Sequence, residues 1–383
     1  MSLRDIIDGV RAQRQNMSNQ GDRTRLDFDA DRDSVLVVYL FRGLGDAVLF
    51  APLLSAFKKK NPNTRLGIIV SEFAAKVLSL FDLNIEMFEV SEEWFSAVNG
   101  STKLQLRTKN RIEEILKRDI RSANFSIGIE LTGDASVPAS DWLNDLDLRY
   151  TLGWASTASE KNNPGPHLNH SFTRRITDIR YLADRHWSLA LCRAFSVLGV
   201  ESPDASLQVP KNDRAVAWAD KQWKDGIRVL VFPGSRDKNK QWNPGQFAAV
   251  INKIHTNYDV SVIVCGAPSE VTLVEQVRRQ MLPSTVRYTG RNLHRLAALI
   301  GGAALVITND SGPMHLSYLS GVPTVAVYKY MSSAVWGPLR PHRDVLTIET
   351  RNYSDLQINE LIWRFLRRLL RRAYFSKFRR KTD

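Results

Sequence analysis

The stretch Ala304-Leu-Val-Ile-Thr-Asn-Asp-Ser-Gly-Pro-Met-His315 contains the pattern that decides the fold. Residues 304–308 are apolar or β-branched, which predicts a buried strand. The polar turn at 309–312 ends this strand, and Pro313 favours a helix start because the first helical turn does not need its N–H group. A second apolar run at 322–328 predicts the next strand. Strand, helix and strand in this order are typical of a parallel sheet.

The same alternation runs through both halves of the chain. The first half has predicted strands at 34–40, 65–70 and 126–131 and predicted helices at 47–60, 72–81 and 186–198. The second half has predicted strands at 228–232, 260–265, 304–308 and 322–328 and predicted helices at 244–258, 269–281, 293–303 and 313–320. A Pro-, Ser-, Asp- and Asn-rich segment at 199–213 separates them. We therefore predict an α/β protein with two halves around a cleft, where ligands bind beyond the carboxyl ends of the strands.

The distribution of charge limits the possible functions. The 383-residue chain has a net charge of +13, of which residues 361–383 carry +8. This concentration argues against a nucleic-acid surface along the whole chain. The two cysteines, Cys192 and Cys265, allow neither a disulfide framework nor a cysteine-based metal site. Because the sequence shows no secretory signal and no apolar run long enough to span a bilayer, we expect a cytoplasmic protein.

The turn at residues 309–312 has the composition of an anion site. Ser311 and Gly312 lie where backbone N–H groups and the positive end of the following helix favour a bound anion. His315 is on the first turn of the same helix. In the alternative interpretation, Asp310 or Ser311 is only the N-cap of that helix.

Two further turns place charged side chains at strand ends. In the second half, Arg236, Lys238 and Lys240 suit phosphate charge, or else form an ordinary solvated loop. In the first half, the glycines of Arg42-Gly-Leu-Gly-Asp46 let the backbone approach a ligand. Asp46 is then placed to take a proton from a hydroxyl group. The alternative role of Asp46 is a helix cap.

Together these segments resemble glycosyltransferase family 9, the lipopolysaccharide heptosyltransferases that use ADP-heptose. The matching residues occur in the family's order between Val35 and Tyr328. They are Arg42, Gly45, Asp46 and Pro52, then Pro233-Gly-Ser235 with Lys240 and Trp242, then Asn309-Asp-Ser-Gly-Pro-Met-His-Leu316 and Gly321-Val-Pro-Thr324. The resemblance implies the GT-B architecture, with two Rossmann-like domains facing a cleft. It also implies an inverting reaction without a metal ion or other cofactor, in which the nucleotide sugar is a co-substrate.

The resemblance also implies roles for individual residues. Asp46 matches the general base, and Arg42 and Gly45 match positions near the acceptor. The positions that match donor-binding residues are Ser235, Lys240, Asp310, Ser311, Gly312 and His315. Glu270, or else Glu275, is a candidate for binding the nucleoside ribose. Preorganised donors and a helix N-terminus stabilise the charge that develops on a leaving nucleoside diphosphate.

Two positions depart from the family pattern. Glu130 stands where the family usually has an Asp before a glycine-containing turn. Ser317-Tyr-Leu319 replaces the small residues that usually follow the histidine. We expect both changes to reshape the sugar pocket.

The C-terminal segment predicts a cationic amphipathic helix. Leu361, Phe365 and Leu369 recur at helical spacing with arginines on the opposite stripe, which is typical of an interfacial membrane segment. Because GT-B proteins usually end in a helix packed on the first domain, we expect its first half to join the core and residues 371–381 to face an anionic membrane. An RNA-binding tail is a third interpretation. The predicted divisions are a polar leader (1–33), an acceptor-binding domain (34–205), a nucleotide-sugar-binding domain (206–350) and a basic tail (351–383).

We therefore expect an inverting glycosyltransferase at the inner face of the cytoplasmic membrane, as a peripheral protein. It would move a heptose or related sugar from an ADP-linked donor to a lipopolysaccharide-core or lipid-linked saccharide, with no nucleic-acid partner. One alternative is a GT-B transferase or sugar-nucleotide epimerase that uses another nucleotide sugar. Another is a non-catalytic membrane- or nucleic-acid-binding module on the same fold.

Overall fold

The computed structural model describes residues 27–98, 102–132, 142–143, 145–155, 174–177, 186–339 and 343–371. Residues 1–26 of the predicted leader and 372–383 of the predicted tail lie outside this part of the chain. Within it, no helix is long and apolar enough to cross a membrane.

Twelve described strands form two six-stranded sheets. The first sheet contains β1 (Val35–Tyr39), β2 (Leu66–Ser71), β3 (Glu86–Val90), β4 (Ile127–Glu130), β5 (Tyr150–Ala155) and β6 (Arg174–Thr177). The second contains β7 (Ile227–Phe232), β8 (Val260–Cys265), β9 (Thr285–Tyr288), β10 (Leu305–Asn309), β11 (Thr324–Tyr328) and β12 (Val345–Glu349). The strand orders are β3-β2-β1-β4-β5-β6 and β12-β11-β10-β7-β8-β9, all parallel. Each sheet thus has the winding order of the dinucleotide-binding fold, which confirms the predicted fold class.

The helices alternate with these strands. They are α1 (Leu44–Lys60), α2 (Glu72–Leu78), α3 (Glu92–Val98), α4 (Lys103–Ala123), α5 (Trp187–Ser196), α6 (Asp213–Asp220), α7 (Pro244–Asn257), α8 (Val271–Arg278), α9 (Leu293–Gly301), α10 (Gly312–Leu319), α11 (Ser333–Trp336) and α12 (Asp355–Leu370). Two of them position the site. Helix α1 starts at the end of β1, helix α10 starts at the end of β10, and the two helices pack against each other across the domain interface.

The complete burial of the central strands explains why the sequence pattern predicted them. Every side chain of β1 and β10 is buried, because helices cover both faces of each sheet. One apolar cluster runs from the first sheet through α1 and α5 into the second domain, where Phe232, Leu299 and Leu316 belong to it. The two domains therefore share a continuous core behind the cleft.

Helix α12 corrects one prediction. Its apolar residues Ile358, Ile362 and Leu366 join the core of the second domain, where the helix packs on α7 and β12. The prediction that the first half of the C-terminal helix joins the core is therefore confirmed, but the helix packs on the second domain and not on the first. The physical reason is local, because only a short turn separates β12 from the helix, and the nearest unburied apolar surface is that of the same sheet.

Candidate active site

The candidate site is a cleft of about 1200 Å³ between the carboxyl ends of the two sheets. Its volume exceeds that of a typical pocket for one small ligand, so it has room for two substrates. All ten predicted site residues line it: Arg42, Gly45, Asp46, Ser235, Lys240, Glu270, Asp310, Ser311, Gly312 and His315. Among the described residues, no group of three His, Cys, Asp or Glu side chains is placed to hold a metal ion.

Asp46 lies on the first turn of α1 and both caps the helix and faces the cleft. One carboxylate oxygen accepts the N–H group of Gly43 at 3.1 Å, so the capping interpretation is also correct. Burial raises the pKa of the Asp46 carboxyl, and the nearby charges of Arg236 and Lys240 offset only part of that shift. A carboxylate with a raised pKa is a stronger proton acceptor than an ordinary aspartate.

The N-terminus of α10 faces the same space. Ser311 occupies the N-cap position, but its side chain accepts no capping hydrogen bond from the helix. Its hydroxyl instead lies 3.2 Å from the hydroxyl of Thr308. The alternative interpretation of Ser311 as the N-cap is therefore correct in position, but its hydroxyl satisfies no N–H group of the first turn, so this end of α10 remains open to an anion in the cleft.

Lys240 and Asp310 form an ion pair at this end of α10. Lys240 Nζ lies 2.9 Å from Asp310 Oδ2, in a contact that lacks the alignment of a good hydrogen bond. Lys240 ends a 3₁₀ turn that Asp237 caps. Burial raises the pKa of the Asp310 carboxyl, and Lys240 opposes that shift. Lys240 thus belongs to the site, whereas Lys238 of the same loop is exposed.

Two glycines allow the ends of α1 and α10 to touch. A Cβ atom on Gly45 would lie 2.7 Å from Cδ2 of His315, and one on Gly312 would lie 2.5 Å from Cβ of Leu44. Both distances are shorter than a van der Waals contact. Gly45 therefore has a packing role in addition to its position in the cleft.

His315 is buried at this contact. Its Nδ1 atom has no hydrogen-bond partner among the described residues. Burial, together with the proximity of His186 and Lys240, lowers the pKa of His315 to about 3. The imidazole is therefore neutral near neutral pH and supplies a polar atom, not a charge.

Ser235 and Glu270 complete the second-domain wall. The hydroxyl of Ser235 lies 3.4 Å from the carbonyl oxygen of Asp310. The carboxylate of Glu270 accepts the N–H group of Ala267 at 2.7 Å and lies directly over Gly234. Glu275, the alternative to Glu270, pairs instead with two arginines of its own domain and does not line the cleft.

The structure pairs Arg42 with Glu92, and its guanidinium carbon lies 4.8 Å from the ring centroid of Phe95. Its positive charge is thus already compensated before any acceptor binds. Arg236 donates to the backbone carbonyl of Arg42 at 2.6 Å, which links the two domains across the cleft. The sequence contained no signal for either contact, because each joins residues from distant segments.

Asn309 has a positioning role that the motif did not reveal. Its side-chain oxygen accepts the N–H group of Trp242 at 2.9 Å, and its amide nitrogen donates to the carbonyl of Pro233 at 2.7 Å. This buried amide fixes the Lys240 loop against the turn before α10.

The two departures from the family pattern lie outside the cleft. Neither Glu130 nor Tyr318 is among the described residues that line it, and the expected reshaping of the sugar pocket stays a prediction. Glu130 accepts the N–H group of Thr132 at 2.6 Å. Tyr318 packs edge-on against His315 and lies 3.3 Å from the hydroxyl of Tyr328.

Two Rossmann-type sheets of the same winding, with opposed helix N-termini and a carboxylate in the cleft, define a two-domain α/β protein of the GT-B architecture. Residues 115–362 match the model of glycosyltransferase family 9 (heptosyltransferase). The chain belongs to this family and is a glycosyltransferase.

Two curated proteins illustrate the similarity. Lipopolysaccharide heptosyltransferase 3 of Escherichia coli K12 is 22% identical over 310 residues, which are 77% of this chain and 82% of that protein. Lipopolysaccharide core heptosyltransferase OpsX of Haemophilus influenzae is 28% identical over 152 residues, which are 37% of this chain and 44% of that protein. The second match thus spans less than half of its relative.

Solved structures share the fold. A family 9 glycosyltransferase from Veillonella parvula aligns over 90% of this chain and 98% of its own, with a TM-score of 0.72 and 22% identity. ADP-heptose lipopolysaccharide heptosyltransferase II of E. coli aligns over 88% of this chain and 99% of its own, with a TM-score of 0.63 and 13% identity.

Proposed function

We propose that the protein transfers a heptose or related sugar from an ADP-linked donor to a lipopolysaccharide-core or lipid-linked saccharide, with inversion at the anomeric carbon. One observation of the site supports this proposal in addition to the membership of the family. A half-buried carboxylate, Asp46, lines the same cleft as the N-terminus of α10 and Lys240, whose ammonium group is paired with Asp310. A base for the acceptor and a cradle for a leaving diphosphate thus share one cleft.

In this reaction Asp46 takes the proton from an acceptor hydroxyl, and the oxygen attacks the anomeric carbon of the donor sugar. The bond to the nucleoside diphosphate breaks on the opposite face. The negative charge that develops there is stabilised by Lys240 and by the N-terminus of α10 at Ser311 and Gly312. In agreement with the family resemblance, the proposed reaction uses no metal ion.

The remaining cleft residues divide between the two substrates. Glu270 is placed to accept hydrogen bonds from the ribose, and Ser235 and His315 provide polar atoms on the donor side. Arg42, already compensated by Glu92, lies on the acceptor side. If a negatively charged group of the acceptor replaced Glu92 as the partner of Arg42, the guanidinium would stay paired throughout binding.

The test is the variant Asp46→Asn. The amide oxygen can still accept the Gly43 N–H group, so the helix cap is retained. Transfer is expected to fall by about 10²–10⁴-fold because general-base catalysis is lost, while ADP binds as tightly as before. Unchanged turnover would remove Asp46 from the mechanism.

A donor screen with ADP-, GDP- and UDP-sugars separates the alternatives. We expect ADP-sugars to bind most tightly and to be consumed only when a saccharide acceptor is present. Consumption without an acceptor would indicate an epimerase. Binding without any turnover would indicate a non-catalytic module.

We further propose that the protein acts at the inner face of the cytoplasmic membrane. The outer face of α12 supports this proposal, because Arg364, Arg367, Arg368 and Arg371 are all exposed on it. Basic residues near an anionic leaflet each contribute about 1 kcal/mol. Of the predicted membrane segment 371–381, only Arg371 belongs to the described residues.

A further inference from the structure

We propose that Tyr39 and Trp187 are positioning residues for Asp46, and that Trp336 of the second domain sets their geometry across the domain interface. The inference rests on the proposed role of Asp46 as the base. Neither Tyr39 nor Trp187 lines the cleft, whereas Trp336 does.

A chain of hydrogen bonds leads from the interface to the base. The indole N–H group of Trp187 lies 3.4 Å from the hydroxyl of Tyr39 and donates to it. That hydroxyl donates in turn to the backbone carbonyl of Asp46 at 3.0 Å. Tyr39 is fully buried and stacks on Phe50, with ring centroids 4.1 Å apart. Its hydroxyl therefore has a fixed position from which to hold the first turn of α1.

The second domain reaches this chain through a pair of tryptophans. Trp187 stacks on Trp336 with ring centroids 5.3 Å apart and an interplanar angle of 27°. Phe41 contacts the edge of Trp187 with a centroid distance of 5.7 Å. The indole that donates to Tyr39 is thus held between one ring of its own domain and one ring of the other.

Backbone contacts on both sides hold the stack in place. His186, next to Trp187, accepts the N–H group of Ser188 on Nδ1, so its Nε2 carries the proton and donates to the carbonyl of Gly337 at 2.9 Å. Tyr328 donates to the carbonyl of Trp336 at 3.0 Å. His186, next to Trp187, is therefore bonded across the domain interface. Trp336 is bonded to strand β11 of its own sheet.

The geometry couples domain closure to the base. Separation of the domains would remove the stacking partner of Trp187, and the donor to Tyr39 would no longer be fixed. The carbonyl of Asp46 would then have a less rigid partner, and the carboxylate of the same residue, on the first turn of α1, would lose its alignment. Misplacement of a catalytic group by about 1 Å lowers rates by up to about 100-fold.

The experiment is a double-mutant cycle on Tyr39→Phe and Trp187→Phe in the full chain. Each change keeps an aromatic ring and removes one hydrogen-bonding group. We expect kcat to fall about 10–100-fold in each single variant, with the donor KM and the ADP Kd unchanged. The double variant should be no slower than the slower single variant, because both changes break the same chain.

Trp94→Phe is the matched control. It removes the indole N–H group of a fully buried tryptophan of the same domain, which donates to Glu113 at 3.0 Å and does not line the cleft. Its kcat should stay at the wild-type level even if its melting temperature falls as much as that of Tyr39→Phe or Trp187→Phe. Trp336→Ala should lower kcat in the wild type and have no further effect when Tyr39 is already Phe.

Two results would overturn the inference: wild-type kcat in both single variants, or multiplicative losses in the double variant. If Asp46→Asn abolishes transfer under the same conditions, the proposed function survives and only the positioning role fails. If Asp46→Asn is fully active, the proposed role of the base fails first.

Discussion

Lys240 and Asp310 show how two residues of the site depend on each other. Lys240 is partly exposed, but Asp310 is almost completely buried beside it. Removal of the ammonium group leaves a buried carboxylate without its counter-charge, and the diphosphate loses a cation at the same time.

We expect Lys240→Gln to lower the free energy of unfolding by about 1–3 kcal/mol, the usual cost of an unsatisfied buried polar group, and to weaken ADP binding. Lys238→Gln is the control, because this neighbour is exposed and does not line the cleft. Denaturant unfolding and ADP titration measure both effects. Equal ADP affinity in the two variants would contradict the proposed role of Lys240.

The ionised Asp46 carboxylate lowers the stability of the folded protein, although the proposed reaction requires it. Because burial raises the pKa of Asp46 above its unfolded value, the ionised form destabilises the native state at neutral pH, and protonation at low pH removes this cost. We expect Asp46→Asn to melt at a higher temperature than the wild type at neutral pH, with the gain disappearing as pH falls through the raised pKa.

The same shift predicts the pH dependence of transfer. The base acts only when ionised, so kcat should fall on acidification at a pH above about 4, the ordinary value for aspartate. Melting curves and rates over a series of pH values check both statements. If the difference in melting temperature between Asp46→Asn and the wild type did not change with pH, burial would not destabilise the ionised carboxylate.

At the scale of elements, the contact between α1 and α10 depends on a missing side chain. Gly312→Ala would place a methyl group 2.5 Å from Cβ of Leu44 and push the two helix ends apart. We expect lower stability, weaker ADP binding and slower transfer. Gly301→Ala is the matched control, since a Cβ there meets nothing within 4 Å in helix α9. It should stabilise by up to about 1 kcal/mol through helix propensity.

The basic surface of α12 makes a prediction about membranes. Truncation after Leu370 removes Arg371 and residues 372–383, while the buried face of the helix is retained. Binding to vesicles that contain anionic lipid should weaken, and the difference should shrink at high salt. Vesicles of neutral lipid serve as the control. If truncation leaves binding to anionic vesicles unchanged, the membrane interpretation of the tail is wrong.

The central strands of each sheet were predictable, whereas the edge strands and the interior strand β5 of the first sheet were not. The sequence pattern located β1, β7, β8 and β10 within one residue at each end, because both faces of these strands are buried and their apolar runs are continuous. The edge strands β3, β9 and β12 are partly exposed, so their patterns are broken and no strand was predicted there.

For the molecule as a whole, the position of the site followed from topology. Each predicted motif comes after a strand of a parallel sheet, and the carboxyl ends of these strands meet at one cleft. Contacts between distant segments of the chain were not predictable in this way. The pairing of Arg42 with Glu92 and the bond from Arg236 to Arg42 depend on tertiary geometry that leaves no periodic signal.

The stacked indoles also give the protein an optical reporter of its own. Of its nine tryptophans, Trp187 and Trp336 belong to different domains and lie close enough for their excited states to couple. A change in the distance between the domains therefore alters the ultraviolet circular dichroism and the fluorescence of the unlabelled chain. Any movement of the domains during turnover would thus be visible in real time, with Trp187→Phe as the blank.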